Sequence, residues 1–385
     1  MPLQPTLADV AFLCTAAGAA ALTAMAGRPL TASSRLSDAA AARALSPEHS
    51  SVLLDAALAR RAAVGKLDEP QRWLLTTEAL QQATASRVAG HRARRLAGRI
   101  VHDVTCSVGA ELVALGPRVT NLVGSDLDPV RLAMAAHNAP GTVLLRADAL
   151  HPTSRGTVVL ADPGRRSGSG RVHDPRALTP PLPALLQVHA GRDLVVKCAP
   201  GLDVGFWSGE VELVSLDGGV REAVLWSDGL SGAVRRRASV LSSSGSSWEV
   251  TDADPDDAPV RGPGEWIIDP DGAVVRAGLV RHWAARHGLG QLDPRVAHLT
   301  GDALPAGVRG FQVLQHGRFT EKALRAELAR ADAGSVEILV RAVDVDPSVL
   351  RKRLRLSGSQ ALTVVLTRIG DTPTAFVCTA HGARA

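Results

Sequence analysis

The spacing of apolar positions along the chain changes near residue 99. Before it the sequence is rich in alanine, and apolar residues recur at helical intervals, as at Val52, Leu53, Ala56 and Leu58. Beyond it, short β-branched runs bounded by Gly, Pro or Asp alternate with segments suited to helices. Such alternation is typical of parallel strands joined by helical crossovers. The pattern therefore predicts a helical N-terminal domain followed by an α/β domain.

The N-terminal pattern predicts four helices from their capping residues and apolar periods. The predicted starts are Asp9 for a helix that continues to Ala26, Ser37 or Asp38 for a second, Pro47 for a third, and Thr76 or Thr77 for a fourth within residues 70–95. The last of these ends in a basic cluster, Arg87, His91, Arg92, Arg94, Arg95 and Arg99. Two interpretations stay open, a solvated basic helix end and a face that contacts phosphates.

The α/β region predicts a mostly parallel sheet. Its five parallel strands are expected at Ile100–Val104, Leu122–Ser125, Val143–Leu145, Val158–Ala161 and Leu194–Lys197. Two more runs, Val211–Leu216 and Ala223–Trp226, flank Asp217-Gly218-Gly219, which is hairpin chemistry. The sheet is therefore expected to finish with an antiparallel pair, and a further hairpin is suggested near residues 239–241 and 248–250.

A Ser-, Gly-, Asp- and Pro-rich stretch at 242–263 predicts loop and linker. After it, Glu265–Asp269 suits a strand and Ala273–His287 a helix, and a compact α/β pattern begins at Phe311. The predicted organisation is a helical domain (1–98), an α/β domain (99–250), a linker with a connecting strand and helix (251–310), and a small α/β domain (311–385).

Acidic residues lie at or just after the carboxyl ends of four of the predicted parallel strands. They are Asp103, Asp126, Asp148 and Asp162. Ligands of open parallel sheets bind outside the carboxyl ends of the strands, so this pattern predicts a small-ligand site. Asp126 lies 17 residues beyond Gly109, close to the interval at which an acid binds a ribose diol.

The glycine content of the first turn narrows the choice of ligand. A dinucleotide fingerprint needs three spaced glycines for the approach of its pyrophosphate. This turn has only Gly109, with Cys106 and Ser107 as small substitutes, and its surroundings are acidic. S-adenosylmethionine fits better, because it offers an ammonium and a sulfonium to carboxylates and a ribose diol to Asp126.

Residues 99–228 resemble the class I S-adenosylmethionine-dependent methyltransferases, which have a Rossmann-like seven-stranded sheet. The stretch GSDLDPVRLAMAAHN (Gly124–Asn138) is similar to the second motif of that family, and RADAL carries its adenine-contacting acid. The resemblance implies S-adenosylmethionine as cofactor. The residues it implicates in binding the cofactor are Asp103, Thr105, Ser107, Gly109, Asp126, Leu127, Asp148 and Ala149.

The fourth strand ends in Asp162-Pro163, like the [DN]PP[YFW] motif of family members that methylate amino groups. The resemblance implies that the Asp162 side chain and the Pro163 carbonyl orient the acceptor nitrogen, and catalysis is then mostly positioning. The sequence departs after that, continuing Gly164-Arg165-Arg166 without the second proline or the aromatic. Arg165 and Arg166 are candidate substrate contacts. Lys197 is a candidate for holding substrate or for a structural ion pair.

Residues 311–368 resemble a second group, the THUMP-like domain at the C-terminus of some bacterial class I methyltransferases. The stretch VEILVRAVDVDPSVLRKRLRLSG carries most of the similarity. THUMP domains bind structured RNA, so the resemblance implies an RNA partner. The candidate phosphate contacts are Arg351, Lys352, Arg353 and Arg355. A surface helix stabilised by its charged C-terminal end remains the alternative.

The amino-acid composition limits how the protein can contact a base, bind a metal or form disulfides. The net charge is +5 and the sequence pI about 9.5, while aromatic residues make up 3% and Tyr is absent. Stacking on a base must therefore come from Trp, Phe, His or Arg. Four separated cysteines predict no metal site and a reducing, cytoplasmic location. The apolar stretch Phe12–Ala26 is predicted to be a core helix rather than a membrane span.

The combined prediction is a methyltransferase that acts on a nitrogen of an RNA base in transfer or ribosomal RNA. Two alternatives stay open. One is a methyltransferase for a small molecule or protein, in which the basic clusters serve solubility. The other is an RNA-binding protein that keeps the fold but transfers methyl groups weakly, as the missing aromatic after Asp162-Pro163 suggests.

Overall fold

The computed structural model describes residues 4–165 and 174–382. The chain divides into two compact units. The first comprises residues 1–211, 222–232 and 241–246, and the second comprises residues 212–221, 233–240 and 247–385. Within the described ranges no single helix is long and apolar enough to cross a membrane; the two N-terminal helices pass that test only as a pair bent by 78°.

The N-terminal region is helical, as predicted. Its helices are α1 (Leu7–Leu13), α2 (Ala16–Ala26), α3 (Arg35–Leu45), α4 (Ser50–Ala62), α5 (Thr77–Gln82) and α6 (Ser86–Arg95). Their apolar faces form one core, which includes Leu22, Leu53 and Leu74 and extends to Val108 and Met134 of the α/β region. The helices thus share a hydrophobic core with part of the α/β region.

The helix boundaries differ from the prediction at two breaks. The single helix expected up to Ala26 is wrong, because Thr15 accepts a hydrogen bond from the Gly18 N–H and caps a new helix. Thr6, not Asp9, caps α1, and Asp9 is its partner in a capping box. Thr76 caps α5, as predicted, but residues 83–85 separate α5 from α6.

The second predicted cap is also wrong. Ser34 stands at the N-cap of α3, and Asp38 lies one turn inside the helix, 1% exposed. Its carboxylate accepts hydrogen bonds from Ser34 Oγ at 2.6 Å and Arg28 Nε at 2.8 Å. The sequence does not distinguish an Asp at the N-cap from an Asp in the first turn, because Asp is favoured at both positions of a helix.

The α/β region forms a nine-stranded sheet in the described part of the chain. The elements are β1 (Ile100–Asp103), α7 (Ala110–Leu115), β2 (Asn121–Asp126), α8 (Pro129–Asn138), β3 (Val143–Arg146), β4 (Val158–Ala161), β5 (Gly164–Arg165), β6 (Leu178–Thr179), α9 (Leu182–Val188), β7 (Leu194–Cys198), β8 (Glu210–Leu216), β9 (Gly219–Trp226), α10 (Asp228–Ser231), β10 (Arg236–Leu241) and β11 (Ser247–Thr251). Strands β5 and β6 form a separate two-stranded sheet.

The order of the large sheet is β11-β10-β8-β9-β7-β4-β1-β2-β3. Strands β1, β2, β3, β4 and β7 are mutually parallel, and β9 is antiparallel to β7. The seven predicted strands and their antiparallel finish are confirmed, and the suggested further hairpin is present as β10 and β11. At the β8–β9 turn, Asp217 and Gly218 both have positive φ (51° and 73°), as a two-residue type I′ hairpin requires.

The remaining elements are β12 (Trp266–Ile268), α11 (Gly272–Arg276), α12 (Val280–Arg286), β13 (Gly290–Gln291), β14 (Leu299–Gly301), β15 (Gly310–Arg318), α13 (Glu321–Arg330), β16 (Ala333–Val340), α14 (Pro347–Leu354), β17 (Gln360–Ile369) and β18 (Thr372–His381). The strands form a seven-stranded sheet of order β13-β14-β12-β15-β18-β17-β16. One helix was predicted over residues 273–287; Gly278, with φ of 68°, ends α11 before α12 begins.

Both faces of this second sheet are covered. Leu324 and Leu328 of α13 and Leu350 of α14 pack on the face that carries Val364 and Leu366. The opposite face carries Val365 and Phe376 and packs against Leu292. The alternation of Val364, Val365 and Leu366 between the two faces follows from the two-residue period of a strand.

We expect Gly18→Ala to destabilise the protein. A Cβ at Gly18 would lie 2.7 Å from Leu13 Cα and closer still to the Phe12 carbonyl oxygen, so α1 and α2 would have to separate. Overpacking of this kind costs roughly 1–3 kcal/mol. Gly27→Ala is the matched control, since its Cβ meets nothing nearer than 3.6 Å. Urea unfolding followed by circular dichroism measures both; equal midpoints for the two variants would contradict the close approach.

Candidate functional site

The predicted acids lie at one edge of the large sheet. Strands β1, β2, β3, β4 and β7 are parallel, so their carboxyl ends meet there. The register aligns Asp103 with Gly124 on one side and with Leu160 on the other. The edge therefore brings Asp103, at the end of β1, beside the ends of β2 and β4.

Asp103 is the most deeply buried of these acids, with 2% of its surface exposed. Its Oδ1 accepts a hydrogen bond from the Thr105 N–H at 3.1 Å. Burial, followed by the negative charge of Glu111, raises the pKa of Asp103 to about 8. A carboxyl group held in this way gains stabilisation when a cation arrives, because the cation favours the ionised form.

The turn after β1 is shaped by two residues with positive φ. Ser107 has φ of 48° and Gly109, the N-cap of α7, has φ of 86°. The Ser107 N–H donates to Asp126 Oδ2 at 3.0 Å, and the Asp128 N–H donates to Asp126 Oδ1 at 2.9 Å. These two bonds fix the orientation of the Asp126 carboxylate. Leu127, between the two acids, is 61% exposed.

Asp148 and Ala149 follow β3. Asp148 Oδ1 accepts a hydrogen bond from the Leu150 N–H at 2.9 Å, and Oδ2 lies 3.4 Å from His151 Nδ1. Ala149 is buried, and its carbonyl accepts a hydrogen bond from His189 Nε2 at 2.9 Å. The loop is therefore held by the Asp148 side chain and by His189. The Asp148 side chain is 37% exposed.

Asp162 is positioned by two elements. Its N–H donates to Thr105 Oγ1 at 2.7 Å, which ties the end of β4 to the turn after β1. Its Oδ2 lies 2.5 Å from Lys197 Nζ. The Lys197 ammonium also donates to Thr84 Oγ1 at 2.5 Å and lies 3.3 Å from Glu111 Oε1, so three oxygens surround its three donors. The Asp162 side chain stays 44% exposed, whereas that of Lys197 is 7% exposed.

Lys197 belongs to a group of five charged residues that we call the buried charged cluster: Arg92, Glu111, Lys197 and Glu222, which are buried, and Asp162, which reaches the surface. Arg92 Nη1 lies 2.5 Å from Glu111 Oε1, and its Nη2 pairs with Glu222. Burial opposes the ionisation of Glu111, but the charges of Arg92 and Lys197 lower its pKa to about 2. Burial likewise opposes the charge on Lys197, and the carboxylates of Asp162 and Glu111 raise its pKa.

The sequence did not reveal this cluster. Arg92 was assigned to a solvated or phosphate-contacting helix end, and both interpretations are wrong for it, because it is 1% exposed. They are also wrong for Arg95, whose guanidinium pairs with Glu210 at 2.7 Å and lies 3.8 Å above the Trp226 ring. The available signal was the presence of single acids in apolar surroundings, Glu111 in the AELVAL helix and Glu222 in a buried strand.

The remaining candidate substrate residues differ in whether their side chains have a polar partner. In α14, Arg351 Nε donates to the Val336 carbonyl and Arg353 pairs with Glu321 at 2.9 Å. Lys352 and Arg355 are exposed, and neither has a recorded polar partner within residues 4–165 and 174–382. The Arg165 backbone pairs with Leu178 in the β5–β6 sheet. Arg166 lies outside the described residues.

Comparisons with known proteins agree with this architecture. Residues 308–380 match the family described as THUMP domain-like. Two proteins of Mycobacterium tuberculosis, from strains CDC 1551 / Oshkosh and ATCC 25618 / H37Rv, are named as S-adenosylmethionine-dependent methyltransferases. Each is 54% identical to this chain over 347 residues, which is 85% of this chain and 96% of the relative. A candidate methyltransferase of Porphyromonas gingivalis W83 superposes with a TM-score of 0.73 at 16% identity, covering 99% of this chain and 100% of its own.

The strand order and the superposition show the Rossmann-like α/β fold, and the relatives at 54% identity are methyltransferases by name. At 54% identity over most of its length, the chain belongs to the family of S-adenosylmethionine-dependent methyltransferases and carries a THUMP-like domain at its C-terminus. It is thus a methyl-transferring enzyme whose cofactor is S-adenosylmethionine.

The side chains at the edge fit that cofactor. Asp103 is a buried carboxyl suited to an ammonium, and Asp126 presents a carboxylate whose orientation two backbone N–H groups fix. Both are acceptors, as the ammonium and the ribose hydroxyls require. Over residues 4–165 and 174–382, no group of three or more His, Cys, Asp or Glu side chains is arranged to hold a metal ion.

We expect S-adenosylmethionine binding to be linked to proton release from Asp103. With a pKa of about 8, this carboxyl is mostly protonated at pH 6 and must ionise to hold the ligand ammonium. Affinity should rise by up to about tenfold per pH unit from pH 6 towards pH 8, and fall above it as the ligand amine loses its own proton.

Titration calorimetry in two buffers of different ionisation enthalpy measures this release. Asp103→Asn is the matched variant, and it should bind more weakly and lose the rise between pH 6 and pH 8. A wild-type affinity that stays flat over that interval, with no buffer dependence of the heat, would remove Asp103 from the cofactor site.

Proposed function

We propose that this enzyme methylates a nitrogen of an RNA base. The observation that carries the proposal is the combination of two features. Asp162-Pro163 ends β4 at the edge where the candidate cofactor residues lie, and the THUMP-like domain at residues 308–380 carries exposed cations. An acceptor of this class has both a nitrogen for Asp162 and phosphates for the cations.

On the cofactor side, we assign each role from the resemblance to the family's motifs. S-adenosylmethionine supplies a methyl group made electrophilic by its sulfonium. Asp103 holds the ammonium, and Asp126 holds the ribose diol with its carboxylate fixed by the Ser107 N–H. Asp148 faces the adenine amine, with Leu127 and Ala149 beside it, while Thr105, Ser107 and Gly109 form the turn against the ligand. These assignments follow the family motif residue by residue.

On the acceptor side, Asp162 and the Pro163 carbonyl accept hydrogen bonds from the target nitrogen and direct its lone pair at the methyl group. Lys197 acts as a positioning residue, because its ammonium holds Asp162 Oδ2 at 2.5 Å and is itself held by Thr84 and Glu111. The second Asp162 oxygen remains for the acceptor. Its side chain, 44% exposed, is accessible to a macromolecular substrate.

The C-terminal domain supplies the second support. THUMP domains bind structured RNA, and the match to the THUMP domain-like family covers residues 308–380. Of the four cations predicted on and after α14, Lys352 and Arg355 are exposed and carry the proposed phosphate contacts. Arg351 and Arg353 serve chiefly to hold α14 in place, since they contact Val336 and Glu321.

Two other functions are kept as alternatives. Methylation of a small molecule or protein would use the same cofactor edge, and the exposed half of Asp162 does not distinguish between acceptors. Weak transfer by an RNA-binding protein is favoured by the sequence Gly164-Arg165-Arg166, which lacks an aromatic after Asp162-Pro163. We place the protein in the cytoplasm, where its four free cysteines stay reduced.

We expect tritiated methyl groups from S-adenosylmethionine to enter RNA. Purified protein is incubated with total cellular RNA, protein and metabolite fractions from cells that lack it. Asp162→Ala should lower transfer at least about 100-fold through loss of acceptor positioning, whereas Asp162→Asn, which keeps an acceptor oxygen, should retain part of it. Cofactor affinity measured by calorimetry is the control and should stay unchanged. Label confined to protein or metabolites would refute the RNA proposal.

We expect the double variant Lys352→Gln/Arg355→Gln to weaken RNA binding in a salt-dependent way. Each lost phosphate contact should lower the slope of log affinity against log salt by about 1. Filter binding of bulk transfer RNA between 50 and 200 mM salt measures this slope. The Debye length in that range is about 10 Å, so the salt screens exposed charges only in part. Arg35→Gln/Arg43→Gln, at exposed positions of α3, is the matched control. Identical slopes for the two double variants would exclude this surface.

A further inference from the structure

A cavity of about 570 Å³ lies in the first compact unit. Its walls are residues 152–156 and Arg192. Residues 152–156 lead into the amino end of β4, whereas Asp162 follows the carboxyl end of that strand. Among the described residues, none of those assigned to the cofactor or to the acceptor nitrogen lines this cavity. It is therefore separate from the site at the carboxyl edge of the sheet.

The Arg192 guanidinium is held in place by neutral groups. Its Nη2 donates to Thr157 Oγ1 at 2.7 Å and to Ser154 Oγ at 3.2 Å. Its Nη1 lies 3.2 Å from Nδ1 of His189. The other ring nitrogen of His189 donates to the Ala149 carbonyl at 2.9 Å, so Nδ1 is free to accept from the guanidinium. The guanidinium thus has a fixed orientation without the help of a carboxylate.

The positive charge at this cavity is not neutralised. No carboxylate is recorded within ion-pair distance of Arg155 or Arg192 in the described part of the chain. Burial lowers the pKa of Arg192, with no acid to oppose it. Burial, followed by the charge of Arg192, lowers the pKa of His102 to about 4, and His102 Nδ1 lies 2.8 Å from Ser154 Oγ. A half-buried cation among neutral groups favours the binding of an anion.

The other walls of the cavity add hydrogen-bond donors. Arg155 is exposed, and no polar partner is recorded for its side chain within residues 4–165 and 174–382. Thr153, which is also exposed, adds a hydroxyl group. Each guanidinium presents a planar fork of N–H donors, and this fork matches two oxygens of a phosphate group. Two arginines and a hydroxyl therefore offer enough donors for an anion with several oxygens.

The size of the cavity agrees with a small ligand, since such sites commonly have volumes of about 300–1,000 Å³. We propose that the cavity binds a phosphate group through Arg155 and Arg192. The phosphate belongs either to a free phosphate compound or to an RNA backbone, which have this chemistry in common. This site goes beyond the proposed function, because it is separate from the residues that hold the cofactor and the acceptor.

Titration calorimetry of the full chain tests the site with two probes. Inorganic phosphate represents a free compound, and the dinucleoside monophosphate UpU represents an RNA backbone, because it has one diester phosphate. Arg155→Gln removes an exposed fork that supports no other contact, and should weaken binding of the preferred probe about 5- to 10-fold. Arg35→Gln, at an exposed position of α3, is the matched control and should bind as the wild type does.

A second variant tests the fixed guanidinium. Arg192→Lys keeps the positive charge but loses the planar fork, so it should also weaken binding of the probe. Because Arg192 contacts Ser154 and Thr157, the circular dichroism spectrum of this variant is compared with that of the wild type to verify the fold.

A chemical measurement locates the bound probe. Phenylglyoxal modifies accessible arginines, and mass spectrometry of the digested protein gives the extent of reaction at each of them. Saturating probe should protect Arg155, whereas Arg35 should react to the same extent with and without it. Arg35 is thus an internal reference for general screening by the added salt.

Saturable binding that both Arg155→Gln and Arg192→Lys weaken, together with selective protection of Arg155, supports the inference. A preference for UpU then identifies an RNA backbone as the source of the phosphate, and a preference for inorganic phosphate identifies a free compound. Absence of saturable binding, an unchanged affinity in either variant, or equal protection of Arg155 and Arg35 overturns the inference. None of these measurements involves methyl transfer, so their failure leaves the proposed function untouched.

Discussion

The buried charged cluster is the constraint on which the catalytic half of the molecule depends. Arg92 and Lys197 are almost fully buried and are balanced by Glu111, Glu222 and Asp162. Removing Glu111 or Glu222 from beside Arg92 costs about 3–5 kcal/mol, because the remaining charge is left in a low-dielectric interior. The cluster also fixes the orientation of Asp162, through its ion pair with Lys197.

The cluster assembles residues from distant parts of the chain. Arg92 comes from α6, Glu111 from α7, Asp162 from the end of β4, Lys197 from β7 and Glu222 from β9. Thr84, in the segment between α5 and α6, completes the ammonium site. The N-terminal helices thus contribute directly to the environment of the candidate catalytic acid, which gives them a function that their sequence did not indicate.

The sequence was sufficient for features that local chemistry determines. The parallel strands were predicted because their apolar runs are short and β-branched, and the edge acids because each follows a strand directly. The breaks at Thr15 and at residues 83–85 were missed, since the helical apolar period continues across them. Strand β15 was not predicted, because most of its side chains after Phe311 are polar or half-exposed.

The same limit explains the errors in the site. The contact between Arg92 and Glu222 joins residues 130 positions apart, and no local pattern reports it. The sequence of a basic helix end is the same whether its arginines are solvated, bound to phosphate or buried in ion pairs. The left-handed turn at Ser107 was likewise invisible, because Ser is not a residue that favours positive φ.

The Asn138 side chain links two segments that are distant in sequence. It accepts a hydrogen bond from the Leu74 N–H at 2.7 Å and donates to the carbonyls of Leu74 and Val108, each at 2.8 Å. One amide thus holds a helical-region segment against the turn that begins α7. Removal of residues 1–98 would delete the Leu74 contacts that hold Asn138 beside this turn, and the Thr84 hydroxyl that binds the Lys197 ammonium. The α/β domain therefore depends on the N-terminal helices and is not expected to function without them.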